Sequence, residues 1–345
     1  MIKLAVVILN WNGRGFLERY LPSVVMHSKI KGVKVVVADN GSEDDSIAYL
    51  KIAFPTVEII ALDKNYGFSE GYNRALFQLE AEYFVLLNSD VEVTRGWLEP
   101  IIATLDSNTL IAACMPKIIS DDRRDLFEYA GAAGGFIDKY GYPFCQGRIF
   151  DSLETDYGQY DEAREIFWAT GACMAVRGPL FKLAGGLDSD FFAHMEEIDL
   201  CWRLKNRGYQ ITYVPYSVVY HLGGGTLPQG NPRKTFLNFR NNLFLLYKNL
   251  PEDAIFSTIS TRLVLDGISS LRFLLKFSFA EIFAILRAHF AFYKGYSRYK
   301  QFRKEEKKFI VRYHHKEIYP HSIVKQYFIN KKYSFLSLQW KNPKF

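Results

Sequence analysis

The sequence predicts an α/β protein built on a doubly wound, parallel sheet. Three observations carry this. Short, continuous apolar runs recur at 4–9 (LAVVIL), 33–38 (VKVVVA), 57–62 (VEIIAL) and 83–87 (YFVLL). Runs this rich in Val, Ile and Leu read as strands covered on both faces. Helix-like stretches separate them, at roughly 15–28, 42–53 and 69–81. Polar residues end each run: Asn10-Trp11-Asn12, Asp39-Asn40-Gly41, Asp63-Lys64-Asn65 and Asn88-Ser89-Asp90. Alternating strands and helices imply right-handed crossovers. Such sheets bind ligands beyond the carboxyl ends of their strands.

The opening MIKLAVVILNWNG has one Lys and stops being apolar at Asn10. It reads as a first strand rather than a signal peptide. Ser42 with Asp45, and Ser69 before Glu70, read as N-cap signals for the second and third helices. Residues 120–165 are richer in Gly, Asp and Tyr. Gly131, Gly134 and Gly135 read there as a mobile connection. Order resumes at 166–176 (IFWATGACMAV), a helix is predicted over 196–207, and 211–220 (ITYVPYSVVY) reads as another strand. Gly223-Gly224-Gly225 then permits close backbone approach or loop movement.

The character changes after about 236. Charges fall at 262, 266, 272, 276, 281 and 287. On one continuous helix these lie within about half the circumference, opposite Leu, Ile and Phe. The basic stretch 298–316 follows. Two readings stand: a helix packed on the body, or a helix lying in a membrane interface. The basic run favours the second, because anionic lipid attracts such segments at about 1 kcal/mol per Lys or Arg. The predicted division is a ligand-binding domain over 1–235 and a basic helical region over 236–345.

Composition sets bounds. A chain of 345 residues suits one domain plus an appendage. Apolar residues at 49% and charged residues at 23% exclude a disordered or collagen-like chain. Aromatics reach 16%, which suggests extra contact surface for membrane, sugar or a partner. Four scattered cysteines with no CxxC pair argue against zinc or a disulfide framework and for a reducing compartment. No stretch of uncharged apolar residues is long enough to predict a spanning helix. The net charge of +6 is uneven. Residues 231–345 carry 22 Lys+Arg against 7 Asp+Glu, a net of +15, which leaves −9 on residues 1–230. An acidic body with a basic tail points to two jobs, the tail meeting an anionic partner.

Four groups could carry chemistry. Asp90 ends an apolar strand where a carboxylate faces the ligand crevice. Such an oxygen suits Mg²⁺ or Mn²⁺ held against a diphosphate, or simply a turn. Asp39 can accept hydrogen bonds from a base or ribose, but Asp-Asn-Gly is also a strong turn signal. Glu196, Glu197 and Asp199 crowd the start of the predicted helix. Neighbouring carboxylates repel, which can raise one pKa and make it a usable base. The same acids also suit a helix dipole, and Arg203, four residues after Asp199, is placed to pair with it. His221 follows a strand and could be a metal ligand or a structural residue.

Taken in order, AVVILNWNG, VVVADNGSEDDS, LDKNYGFSEGYNRAL, FVLLNSDVEV, FWATGACMAVRG, GGLDSDFFAHMEEIDLCWRLKNRGY and VVYHLGG resemble the family 2 inverting glycosyltransferases of the GT-A fold. The likeness is greatest to their bacterial rhamnosyltransferase-like branch, which builds cell-surface polysaccharides. It covers about residues 2–248. The resemblance implies a role for each matching residue. Asp39 matches the carboxylate that contacts the nucleotide base, with Asn10 and Asn12 in the first nucleotide loop. Asn65, Gly67 and Asn73 match the segment lining the donor pocket. Asn88-Ser89-Asp90 matches the DxD metal motif, and His221 a further ligand to metal or diphosphate. Glu197 falls at the catalytic base, with Glu196 as the fallback. Trp168, Gly171 and Ala172 match the strand beside donor sugar and acceptor, and Asp199 is grouped with them. Two departures stand out: Asn88 replaces the first Asp of DxD, and Glu197 replaces the usual Asp.

The implied reaction is direct displacement with inversion, on a nucleotide-diphosphate sugar (dTDP-rhamnose first, UDP-sugars next). Mg²⁺ or Mn²⁺ is the implied cofactor, and a glycan on a lipid carrier the implied acceptor. The tail would hold the enzyme on the inner, cytoplasmic face of an anionic membrane, or else form a homodimer. No nucleic-acid module accompanies it. The competing readings are a nucleotidyltransferase and a non-catalytic glycan- or lipid-binding protein. The first is weakened by the lack of a Gly-rich phosphate loop after the first strand. The second would survive if substituting Asp90 and Glu197 left glycan assembly unchanged.

Overall fold

The computed structural model describes residues 2–223 and 231–340. Gly224 and Gly225 of the glycine triplet lie outside them. The amino-terminal half alternates as expected: β1 (Ile2–Asn10), α1 (Arg14–His27), β2 (Val33–Asp39), α2 (Ser46–Ala53), β3 (Glu58–Ala61), α3 (Gly67–Leu76) and β4 (Ala81–Asn88). There follow β5 (Val91–Val93), α4 (Leu98–Ser107) and β6 (Ile111–Ser120). The middle supplies β7 (Gly135–Asp138), β8 (Pro143–Cys145), β9 (Arg148–Ile149), β10 (Ser152–Leu153), β11 (Arg164–Ile166), β12 (Cys173–Arg177), α5 (Gly178–Leu183), α6 (Glu196–Asn206) and β13 (Gln210–His221). Three long helices close the chain, α7 (Pro232–Asn249), α8 (Glu252–Leu275) and α9 (Phe279–Glu306), with a two-residue β14 (Ile318–Tyr319).

Among the described residues the main sheet orders as β11-β13-β6-β12-β4-β1-β2-β3, with β5 paired to β13. The expected parallel arrangement holds across β4, β1, β2 and β3. β12 runs antiparallel between β4 and β6, so the sheet is mixed beyond that point. The register aligns the strand ends: Asn10 faces Asp39, and Leu9 faces Asn88. A single rim of polar residues results from four buried apolar strands stopping together.

The two N-cap expectations fail. α3 starts at Gly67, so Ser69 lies inside its first turn, and the helix ends at Leu76. Phe68 and Ser69 instead donate their backbone N–H groups to the Phe192 carbonyl. α2 starts after Asp45, whose side chain makes no cap, and Ser42 is engaged with Asp39.

Residues 120–165 are not a mobile connection. They build a second sheet, β10-β9-β8-β7-β14. Gly135 is needed because the Trp168 ring lies where a Cβ would be. The chain after α9 returns to this sheet: β14 pairs with β7, and Phe335 and Trp340 stack on Phe136 at 5.2 and 5.4 Å. Part of the aromatic excess is therefore internal core rather than contact surface. Asp138 anchors the return by accepting from the backbone N–H of Ile323, Tyr140 and Tyr142. Burial raises its carboxyl to about 6 against those donors.

The expected boundary at 235/236 falls inside α7, whose Leu243, Leu245 and Leu246 belong to the same core as β1 and β4. The expected continuous helix through 262–287 is two helices, broken at 276–278, where Phe277 adopts φ 54°.

Candidate active site

The rim is organised first by buried amides. Asn10 Nδ2 donates to Asp39 Oδ1 (3.0 Å) and Ser42 Oγ (3.2 Å). Asp39 also accepts from the Ser42 N–H and hydroxyl, at 2.9 and 2.6 Å. It is fully buried, and these three bonds leave about one of a carboxylate's four acceptor positions. Asn12 adopts φ 49°, donates its backbone N–H to Ser42 Oγ and accepts from the Glu43 N–H through its Oδ1. Asn40, which sequence reasoning passed over, holds the next loop. Its Nδ2 donates to Asn65 Oδ1 and the Gly67 carbonyl, and its Oδ1 accepts from Tyr66. Gly67 has φ 78°, and a Cβ there would lie 2.7 Å from the Phe192 ring.

The β5–β13 pairing sets His221 opposite Val91, next to Asp90. His221 Nε2 lies 3.1 Å from Asp90 Oδ1 and 3.4 Å from Asn88 Nδ2. Its Nδ1 is 3.3 Å from Glu128 Oε2, an ion-pair contact without hydrogen-bond alignment. Ser89 is half-buried between Asn88 and Asp90. Burial pushes the Asp90 carboxyl up, but His221 outweighs it and holds the group below the usual carboxylate range. Burial works against charge on His221, yet Glu128 and Asp90 raise its pKa to about 10. Glu128 is a residue that sequence reading missed; nothing in FEYAG marks it locally.

Among the described residues no three His, Cys, Asp or Glu side chains cluster as a metal cage. An ionised Asp90, His221 and the Asn88 amide still suit a hard cation that takes one or two protein ligands and fills its shell with phosphate oxygens and water. His221 would have to give up its proton to bind through Nε2, leaving Nδ1–H to Glu128 as an outer partner.

The second centre is the start of α6. Phe192, His194 and Met195 adopt φ of 64°, 70° and 74° just before it. Non-glycine residues seldom occupy this region, and the surroundings must enforce it. Asn241 of α7, fully buried, does so by donating to the carbonyls of Phe191, Ala193 and His194 at 3.0, 2.9 and 2.8 Å. Arg240 donates to the carbonyls of Asp190 and Phe191. This clamp delivers Glu196 and Glu197 to the crevice.

Glu197 accepts from the Gly171 backbone N–H, and the Ala172 carbonyl accepts from Asn88 N–H at 3.0 Å. Two backbone contacts thus connect Glu197 to the Asn88–Asp90 turn. Burial raises the Glu197 carboxyl, and burial with repulsion from Glu197 drives Glu196 well up. Each has one oxygen, Oε2, buried with no hydrogen-bond partner. Unpaired buried carboxylate oxygens are costly and call for an explanation.

Three of the expected site residues turn to internal partners in this structure. Asp199 is the first. It is fully buried, its Oδ2 accepting from Arg203 and Lys248 (both 2.8 Å) and its Oδ1 from Asn249 (2.9 Å). Burial pushes its carboxyl up, while Lys248 and Arg203 hold it below the usual range. Trp168 is only 3% exposed and donates Nε1–H to the Phe136 carbonyl, so it is wall rather than contact. Asn73 pairs both backbone groups of Leu187 (2.7 and 2.9 Å), in a cavity of about 580 Å³ lined by α3 and the 184–190 loop. The expected i,i+4 pairing of Asp199 with Arg203 is present; the other partners, Lys248, Asn249, Phe136 and Leu187, are far along the chain, where local sequence cannot reveal them. Arg148 was also missed. It is buried beside Cys145 with its Nε unpartnered, and it lies over the exposed Tyr129 ring at 4.6 Å.

Residues 5–177 match the model of Glycosyl transferase family 2. The chain belongs to that family. It is therefore a glycosyltransferase, and the nucleotidyltransferase and non-catalytic alternatives give way. An N-acetylglucosaminyl-diphospho-decaprenol L-rhamnosyltransferase of Mycobacterium tuberculosis is 26% identical, covering 63% of this chain and 75% of that protein. The Escherichia coli rhamnosyltransferase WbbL is 22% identical over 61% of this chain and 80% of its own. Among solved structures, GalNAc-T7 with UDP, GalNAc and Mn²⁺ superposes with a TM-score of 0.57 at 17% identity. That match covers 74% of this chain but only 49% of the longer neighbour. The mannosyltransferase PcManGT of Pyrobaculum calidifontis, with GDP-Man and Mn²⁺, gives 0.50 at 12% identity, covering 89% and 84%. These likenesses establish the GT-A fold for the family 2 chain.

Proposed function

We propose that this glycosyltransferase moves a sugar, rhamnose from dTDP-rhamnose being favoured, from a nucleoside-diphosphate donor to a hydroxyl of a lipid-linked glycan, with inversion. The observation that carries the reaction class is Glu197: a carboxylate with a raised pKa and an unpartnered oxygen, linked through the Gly171–Ala172 backbone to the Asn88–Asp90 turn. Such a group suits proton removal from an attacking hydroxyl near neutral pH. Burial and repulsion from Glu197 push Glu196 further up, which favours Glu197 as the charge-bearing member of the pair. Asn10, Asn12 and Asp39 form the nucleotide loop, and Asn65, Gly67, Gly171 and Ala172 line the donor side. A divalent cation, Mg²⁺ or Mn²⁺, on Asp90 and His221 would neutralise the leaving diphosphate. The rhamnosyl and lipid-carrier parts of the reading are supported by the mycobacterial and Escherichia coli relatives. The carrier lipid would place the enzyme at a membrane surface.

The test is nucleoside-diphosphate release from a panel of nucleotide sugars with Mn²⁺ and an acceptor. Glu197→Gln should lower transfer by about 10²–10⁴-fold while calorimetry shows donor binding retained. Asp90→Ala should lose both. Equal transfer by wild type and Glu197→Gln would overturn the assignment of the base.

A further inference from the structure

The carboxy-terminal helices wear their polarity inside out. On α8 the buried side chains are Thr258, Arg262 and Asp266. Arg262 Nε donates to Asp266 Oδ1 (2.8 Å), its guanidinium lies over the Tyr142 ring (3.8 Å), and it also binds Asn242. Asp266 reaches His289 on α9 at 3.0 Å. The charges that sequence patterning assigned to an outer face are thus partly the inner one. Phe256, Val264, Ile268, Leu271 and Leu275 are exposed instead, Phe256 by 83%. They fall within about a third of the helix circumference. α9 repeats the arrangement: Phe279, Phe283, Leu286, Phe290 and Tyr293, spaced i, i+4, i+7, i+11 and i+14, are 59–72% exposed. Phe277, in the turn between the helices, is 80% exposed. A water-facing helix normally turns its apolar stripe to the core. An apolar stripe this long on the outside marks an interaction surface.

We propose that the outer face of the α8–α9 hairpin docks on an anionic lipid bilayer, the apolar side chains entering the headgroup region and the cations meeting the lipid phosphates. The inference rests on the lipid-linked acceptor reading. Charge selects this occupant over a second copy of the chain. The hairpin holds nine Lys or Arg against six acids, but Asp266 is buried on the inner side and Glu252, Asp253, Glu305 and Glu306 sit at the far ends. Around the turn and the apolar stripes, residues 267–300, the exposed Arg272, Lys276, Arg287 and Lys294 face one acid, Glu281. A two-fold dimer would set that positive surface against itself. An anionic bilayer complements both the charge and the apolar stripes. Among the described residues no helix is long and apolar enough to cross the membrane, so the hairpin lies on it rather than spanning it.

The full chain would be floated with phosphatidylcholine vesicles, with and without phosphatidylglycerol, at low and high salt. Binding should require phosphatidylglycerol and weaken with salt. Phe277→Glu with Phe283→Glu should weaken it about tenfold or more, and Arg272→Gln with Lys276→Gln severalfold. Circular dichroism and nucleoside-diphosphate release should not change in either variant, since none of these residues touches the crevice. Equal vesicle binding by wild type and the Glu variant overturns the proposal. So does light scattering that shows a wild-type dimer which the Glu variant makes monomeric. Vesicle binding needs neither donor nor acceptor, so failure of the transferase reading would leave this result intact, and the reverse holds too.

Discussion

The start of α6 and the α8–α9 hairpin solve opposite problems. In α6 nearly every side chain is buried, charged ones included, and most of those charges are paired. Asp199 is saturated by three donors, whereas Glu197, two residues earlier, keeps an oxygen free. In the hairpin the paired charges face inward and unpaired apolar groups face out. The difference teaches that a group left unsatisfied is the informative one in each place. A buried carboxylate oxygen without a donor marks chemistry at the Glu196–Glu197 pair, and an uncovered apolar stripe marks contact.

The contrast can be broken most forcefully at Asp199. Asp199→Ala would leave Arg203 buried without a carboxylate partner and Lys248 with Asp188 alone, and should cost about 3–5 kcal/mol by urea unfolding. Asp199 is expected to matter for stability where Glu197 matters for turnover. If Asp199→Ala folds as stably as wild type, the cluster of Asp199 with Arg203, Lys248 and Asn249 is not what anchors α6.

Glu196 offers a smaller, pH-dependent effect. Its folded pKa lies above the unfolded value, so the folded state holds the proton more tightly. Stability is therefore spared penalty below the ordinary glutamate pKa and declines as pH rises from there towards the raised value. Glu196→Gln should raise the melting temperature at neutral pH and change it little near pH 4. An equal shift at both pH values would argue against a buried, repelled carboxyl. The smallest effect is expected on the hairpin. Phe290→Ser should leave stability in vesicle-free buffer within about 0.5 kcal/mol, because the ring is already in water. A large loss would mean that the stripe packs on this same chain.

How much was legible in the sequence differs by level. The strands β1 to β4 and their polar ends could be read directly, because a run of apolar residues ending in Asn or Asp carries its own boundary. Asp90 with His221 was legible only as two separate strand ends; β5 pairing with β13 brings them within 3.1 Å. Trp168, Asn73 and Asp199 were assigned by their motif positions, and their hydrogen bonds to Phe136, Leu187 and Lys248 could be seen only in the folded chain. Glu128 and Asn241 carried no local signal, and Asn40 was legible only as part of the Asp-Asn-Gly strand end, since each acts on residues far along the chain or on backbone atoms. The hairpin pattern was visible as a stripe, but period alone does not say which side of a helix faces the core.

The sequence by itself determined the alternation of elements, the rim of polar strand ends and the acidic start of α6, because each depends on side chains adjacent along the chain or one helical turn apart. Only the tertiary structure decided which of those acids stay free, which way the hairpin turns its apolar stripe, and that the chain after α9 returns to close the second sheet. Those outcomes depend on burial and on partners many residues away. The free energy of a carboxylate or a phenyl ring is set by what surrounds it, and the surroundings exist only once the chain has folded.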